Sequence, residues 1–138
     1  MIEHSQYHCP KCRKSLTNDK KVILHFKKSS ADNFSDIFLA PEPGNYEFYT
    51  VPPTNFQKGD RVVFYCPKCH TDLTSKKDNK FAELKMKVND FIYFEALFSI
   101  VYGDKRTYII TENDIDVYGE ANYEDIPFPD VSIGEVPY

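Results

Sequence analysis

The chain is predicted to be mainly β, a β-rich α+β fold of antiparallel strands with one short helix, drawn together at its four cysteines. Three observations carry this. Apolar residues alternate strictly from Ala82 to Val88, the period of a half-buried strand. Phe and Tyr number 11 and 10, and aromatic side chains favour the pleated surface of a sheet. The only four cysteines stand in two copies of one tetrapeptide, Cys9-Pro10-Lys11-Cys12 and Cys66-Pro67-Lys68-Cys69.

Taken in order, residues 1–8 are polar and lead into the first tetrapeptide. Lys21 to Lys27 is a short strand, with Val22, Leu24 and Phe26 on one face and Ile23 and His25 on the other. From Ser30 to Leu39 the apolar residues Phe34, Ile37 and Phe38 fall at i, i+3 and i+4, which predicts the helix. Ser30 or Asp32 would cap it and Pro41 would stop it. Pro41, Pro43 and Gly44 make a turn, and Asn45 to Val51 is the next strand, ended by Pro52-Pro53. After a turn at Lys58-Gly59-Asp60, Arg61 to Tyr65 runs into the second tetrapeptide.

Beyond a polar stretch at 74–80, the strand Ala82 to Val88 turns Glu83, Lys85 and Lys87 to solvent. Phe91 to Tyr102 then places Ile92, Phe94, Ala96, Phe98, Ile100 and Tyr102 on a core face. Gly103-Asp104-Lys105 turns it into Thr107 to Thr111, a hairpin over residues 91–111. Ile115 to Tyr118 adds an edge strand ending at Gly119. One domain over residues 1–119 is expected. Residues 120–138, with Pro127, Pro129, Pro137 and several acids, form a tail ordered only if docked. At 138 residues the chain can bury about two-thirds of its unfolded surface, enough for a core of its own.

Two thiolates spaced Cys-x-x-Cys sit on one tight turn and can face one ion. Two such turns, using Cys9, Cys12, Cys66 and Cys69, complete a tetrahedral four-thiolate shell for Zn²⁺. The proline fixes its own φ and lacks an N–H, which leaves later backbone amides free to point at the sulfurs. The match runs on, aligning Tyr7 to Leu16 with Phe64 to Leu73. Two disulfides, a pair of redox couples, or iron are the other readings of four such cysteines. The gap from Cys12 to Cys66 is 53 residues, so the site would staple distant parts of the chain. His8 and His70 adjoin ligands and belong around the site rather than in it, because adjacent side chains diverge. His25 reads as an ordinary strand residue, and His4 is too near the terminus to inform.

Four thiolates leave no open position for water, which catalytic zinc needs, so the metal is expected to be structural. No glycine-rich phosphate loop, Gly-x-Ser-x-Gly or His-Glu-x-x-His is present, and an enzyme reading has no positive support. No apolar run reaches the roughly 20 residues of a membrane span. The first residues lack a basic stretch followed by an apolar one, and a reducing, cytoplasmic setting is expected.

Charge is divided unevenly within a net of −4. Residues 1–88 hold 15 Lys/Arg and 10 Asp/Glu, and residues 89–138 hold 2 and 11. Lys11, Arg13, Lys14, Lys20, Lys21, Lys27 and Lys28 surround the first tetrapeptide, and Lys68, Lys76, Lys77 and Lys80 the second. With Tyr7 and Tyr65 as stacking platforms they would suit a nucleic acid. As plain solvated lysines beside packed tyrosines they need no partner, and that reading is favoured.

At the paired Cys-Pro-x-Cys turns the chain resembles the zinc-ribbon class, and its two-motif layout is similar to the bacterial CpXC domain. The resemblance covers residues 7–16 and 64–73. It implies Cys9, Cys12, Cys66 and Cys69 as metal ligands and implies no activity. Ribbon turns commonly carry glycine after the second cysteine, and here Arg13 and His70 stand there. The expected function is a zinc-stabilised module that binds another protein or itself. A nucleic-acid- or transcription-associated ribbon is the alternative, and a thiol redox switch or an enzyme of unknown reaction comes third. The expected interaction face is Tyr93, Leu97 and Val101, the outward row of the hairpin, which is more apolar than a solvated strand face. Cover by the chain's own helix or by Ile126 and Phe128 of the tail is the competing expectation.

Overall fold

The computed structural model describes residues 6–18, 20–28, 33–89, 92–111 and 114–120. Ten strands follow in order: β1 (Gln6–His8), β2 (Thr17–Asn18), β3 (Lys21–Lys28), β4 (Ser35–Leu39), β5 (Phe48–Val51), β6 (Val62–Tyr65), β7 (Phe81–Lys87), β8 (Tyr93–Ser99), β9 (Arg106–Ile110) and β10 (Ile115–Gly119). All pairings are antiparallel. The first sheet has the order β1-β7-β8-β9-β10; the second has the order β2-β3-β4-β5, with β6 also on β3.

The expected helix is not there. Ser35–Leu39 is a strand paired with β3, Leu24 opposite Ile37 and Val22 opposite Leu39. Three helically spaced apolar residues make too short a stripe to offset the cost of helix nucleation. Alternation serves the same residues better, since Ile37 is buried while Asp36 and Phe38 stand on the other face. Ser30, Ala31 and Asp32, the start of that helix, lie outside the described residues, as does the tail beyond Glu120. The strand expected over 45–51 is shorter, beginning at Phe48.

The two halves interlock. β1 leads into the first Cys-x-x-Cys turn but pairs with β7, which follows the second. β6 leads into the second turn but pairs with β3, which follows the first. Registers correspond: Tyr7 faces Met86 as Phe64 faces Phe26, and His8 faces Lys85 as Tyr65 faces His25. Thr17 bridges Val22 as Thr74 bridges Ala82. β3 then pairs with β4 as β7 pairs with β8.

The inner faces of the sheets share one core, which includes Leu24, Phe26 and Ile37 from one and Leu84, Met86 and Ala96 from the other. Phe64 meets Phe98 edge-on at 5.3 Å across it. Each fully buried side chain of this size contributes roughly 1.5–3 kcal/mol. A second cluster of Phe81, Leu97, Tyr108 and Ile115, all 0% exposed, lies on the opposite face of the first sheet.

That cluster corrects the expected interaction face. Leu97 is fully buried, and Val101 is half-buried against the main core; only Tyr93, at 41%, stays exposed. A strand with apolar residues on both faces is here buried on both, so its second row is packing surface. At the end of β10, Gly119 has φ +71°, and a Cβ there would collide with the Lys105 carbonyl and the Tyr46 ring. Glycine is what lets the edge strand close on Tyr46, whose hydroxyl lies 2.8 Å from Thr107 Oγ1.

Candidate metal centre

Each Cys-x-x-Cys turn is built by the same bonds. Arg13 N–H donates to Cys9 O (3.0 Å) and His70 N–H to Cys66 O (2.8 Å). Cys9 N–H donates to Lys14 O (3.1 Å) and Cys66 N–H to Thr71 O (3.0 Å). Closing so tight a loop turns the residue after the second cysteine left-handed, with φ of 67° at Arg13 and 64° at His70. These are the positions where ribbon turns commonly carry glycine. Leu16 and Leu73 then anchor the two returning chains in the core, at 3% and 2% exposure.

The sulfurs converge. All four lie within 4.8 Å of one another, and Cys9–Cys69 and Cys12–Cys66 are each 3.8 Å apart. A tetrahedron with metal–sulfur bonds of about 2.3 Å has edges of about 3.8 Å, so the two measured edges have the required length. The residues present fit a four-coordinate ion, one knuckle supplying one end of each measured edge.

Backbone amides support the charge such an ion would leave on sulfur. Lys11 and Cys12 N–H donate to Cys9 Sγ at 3.3 and 3.4 Å, and Lys68 and Cys69 N–H donate to Cys66 Sγ at 3.3 and 3.4 Å. Burial nevertheless pushes the Cys66 thiol up to about 12 and raises Cys9 as well, both residues being 0% exposed. Cys69, exposed and bonded by the Thr71 amide, is drawn down to about 7. The inner two sulfurs hold their protons unless an ion displaces them, and the outer one is readily a thiolate.

The histidines stay outside this cluster. His8 Nδ1 lies 2.9 Å from Arg13 O, and the ring meets Tyr93 edge-on at 5.6 Å. His70 is exposed with its ring 6.0 Å from His25, which pairs with Asp36 at 3.2 Å. His4 lies outside the described residues. Tyr7 is not a stacking platform: it is 6% exposed and its hydroxyl donates to Pro41 O at 2.6 Å. Tyr65 is half-buried and meets Phe34 edge-on at 4.9 Å. Lys11, Arg13, Lys14, Lys68 and Lys76 are exposed around the turns, whereas Lys77 pairs with Glu95 at 2.7 Å and Lys28 with Asp60 at 3.3 Å.

Sequence reasoning missed one surface. On the outer face of the second sheet Phe38 and Tyr49 stack at 4.6 Å, and Phe34, Tyr49 and Val51 are each 51% exposed. Reading Phe34 to Leu39 as helix hid it, because the strand register Ile23–Phe38–Tyr49 is what assembles this row. No protein-family model matches the chain, and no curated protein or solved structure matches it.

Proposed function

We propose that Cys9, Cys12, Cys66 and Cys69 hold one structural Zn²⁺, and that the chain is a protein-binding module working through the outer face of its second sheet. Zinc is favoured because four thiolates at tetrahedral separations suit a borderline-soft, redox-inert ion, and the likeness of both turns to zinc-ribbon knuckles agrees. A closed shell leaves no site for a reacting water, so the ion's work is to hold two halves together. A reducing compartment such as the cytoplasm suits such a site. Among the described residues no helix is long and apolar enough to cross a membrane.

The binding role rests on one observation: Tyr49 and Val51, each 51% exposed, stand on β5, the edge strand of its sheet. Among the described residues no strand pairs with the far side of β5, and an apolar edge of this kind suits strand addition by a partner protein. The test is capture from the native host by the full chain and by its Tyr49→Glu and Val51→Arg variants, with metal content checked. A protein retained by the native chain and by Lys76→Glu but lost from both variants supports the reading. Equal retention by all four would sink it. A second reading, single-stranded nucleic acid, has one observation in its favour: Lys27 Nζ sits 5.2 Å over the exposed Phe34 ring. Nuclease-sensitive recovery of RNA or DNA would favour it.

A further inference from the structure

Between the inner faces of the two sheets lies a cleft of about 710 Å³. The cleft opens to solvent, so it is a groove that a ligand can enter rather than a void in the packing. We propose that the cleft is a binding site for a small molecule with an apolar body and a cationic end.

Its volume falls inside the range of about 300–1,000 Å³ typical of small-molecule pockets. Val22 and Ile37 line it from one sheet, and Leu84, Ala96 and Ile109 from the other. These walls offer burial and no hydrogen bonds, which selects an apolar body. The two tyrosine hydroxyls among these walls are already engaged, Tyr7 with Pro41 O and Tyr46 with Thr107.

One side of the lining is aromatic. Phe56 and Tyr102 stack at 5.3 Å and 13°, and Phe48 stands edge-on to both at 5.6 and 6.3 Å. Phe48 and Tyr102 are 37% and 39% exposed, so this cluster borders both cleft and solvent. Aromatic faces attract cations. The charges lining the cleft agree. Glu42, Glu47 and Glu120 face a single Lys105, while Asp104 is matched by Arg106 at 2.7 and 2.6 Å. The resulting negative field favours a cationic end and opposes a carboxylate. Tyr7 and Phe64, each two residues ahead of a metal-centre cysteine, also line the cleft, so a bound molecule would touch the strands that carry the ligands.

The test uses the full chain and the fluorescent probe 1-aminoanthracene, displaced by dodecyltrimethylammonium or by dodecanoate below their micelle-forming concentrations. The expected result is saturable probe binding, with displacement by the ammonium compound at concentrations at least tenfold lower than by dodecanoate. Glu42→Gln with Glu47→Gln, both at exposed positions, should narrow that gap to threefold or less. In the native chain, amide shifts should fall on Val22, Ile37 and Ile109, a measurement that needs no variant to fold. Absence of probe binding, equal displacement by the two compounds, or shifts confined to Tyr49 and Val51 would overturn the proposal. So would binding seen only in Phe128→Asp, because Glu120 lines the cleft and residues that follow it in sequence would then be the occupant.

Discussion

Arg13 and His70 hold the same left-handed backbone, φ 67° and 64°, at corresponding points of the two cysteine turns. For a residue with a Cβ this conformation costs roughly 1–2 kcal/mol. Arg13 is exposed, and its carbonyl and amide make the turn's bonds, so its side chain can be removed without breaking them. Arg13→Gly should raise stability by up to about 1.5 kcal/mol, the strain relieved less the roughly 0.5–1 kcal/mol of extra freedom glycine gives the unfolded chain. Arg13→Val should lower it. Urea denaturation of the three chains decides.

Removal of the metal should cost most of the stability. Zinc bound to small peptides contributes on the order of 10–16 kcal/mol, against roughly 5–15 for a whole domain. Freshly purified, reduced protein should carry one equivalent of zinc. Cys66→Ser and treatment with a chelator should each lower Tm by more than about 10 °C. An unchanged melting curve after chelation would exclude a structural role.

Leu97→Ala should cost about 2–5 kcal/mol while leaving the zinc content at one equivalent, because Leu97 is fully buried with Tyr108 and Ile115, away from the metal centre. Tyr93→Ala, on the same strand but exposed, should fall within about 0.5 kcal/mol of the native chain. Chemical denaturation separates the two, and equal small effects would mean that Leu97 is a surface residue.

The Arg106 guanidinium, bonded to both carboxylate oxygens of Asp104, and the Ser99 hydroxyl at 2.8 Å hold that carboxyl below its usual range. A depressed pKa stabilises the fold above the ordinary carboxylate value near 3.9, and the contribution is lost as pH falls through the folded value. Asp104→Asn should therefore be less stable at pH 7, by about 1 kcal/mol for a pair partly screened by solvent. The difference should shrink as pH falls below the ordinary carboxylate value and through the lowered folded one. Thiolate protonation in acid affects both chains alike, so the gap between their urea midpoints is the quantity to read. A gap independent of pH would remove the ion pair as its cause.

Strands with one buried face could be read directly from the sequence. Ala82, Leu84 and Met86 point inward as their alternation requires, and Val22, Leu24 and Phe26 do the same. The cysteine cluster was legible because all four cysteines lie in one short repeated string. Phe34 to Leu39 was not, because three apolar residues satisfy helical spacing and strand alternation at once, and pairing with β3 decided between them. Leu97 was misplaced for a related reason: whether a second apolar row is covered depends on distant residues such as Phe81 and Ile115. The exposed row from Phe34 to Val51 and the intersheet cleft arise only from registers between strands far apart in the chain.

The exchange of β1 and β6 between the halves gives this single chain the logic of an isologous dimer whose protomers have been joined end to end. Each half brings two cysteines of the four-sulfur cluster and a leading strand whose partner belongs to the other half. A half-length chain would have to find a second copy before its four-sulfur cluster could close. Joining the two copies replaces that dependence on concentration with a high, fixed local concentration of the second knuckle. It also frees the two copies to differ, which is how one β4–β5 face can be aromatic and exposed while the corresponding β8–β9 face is buried.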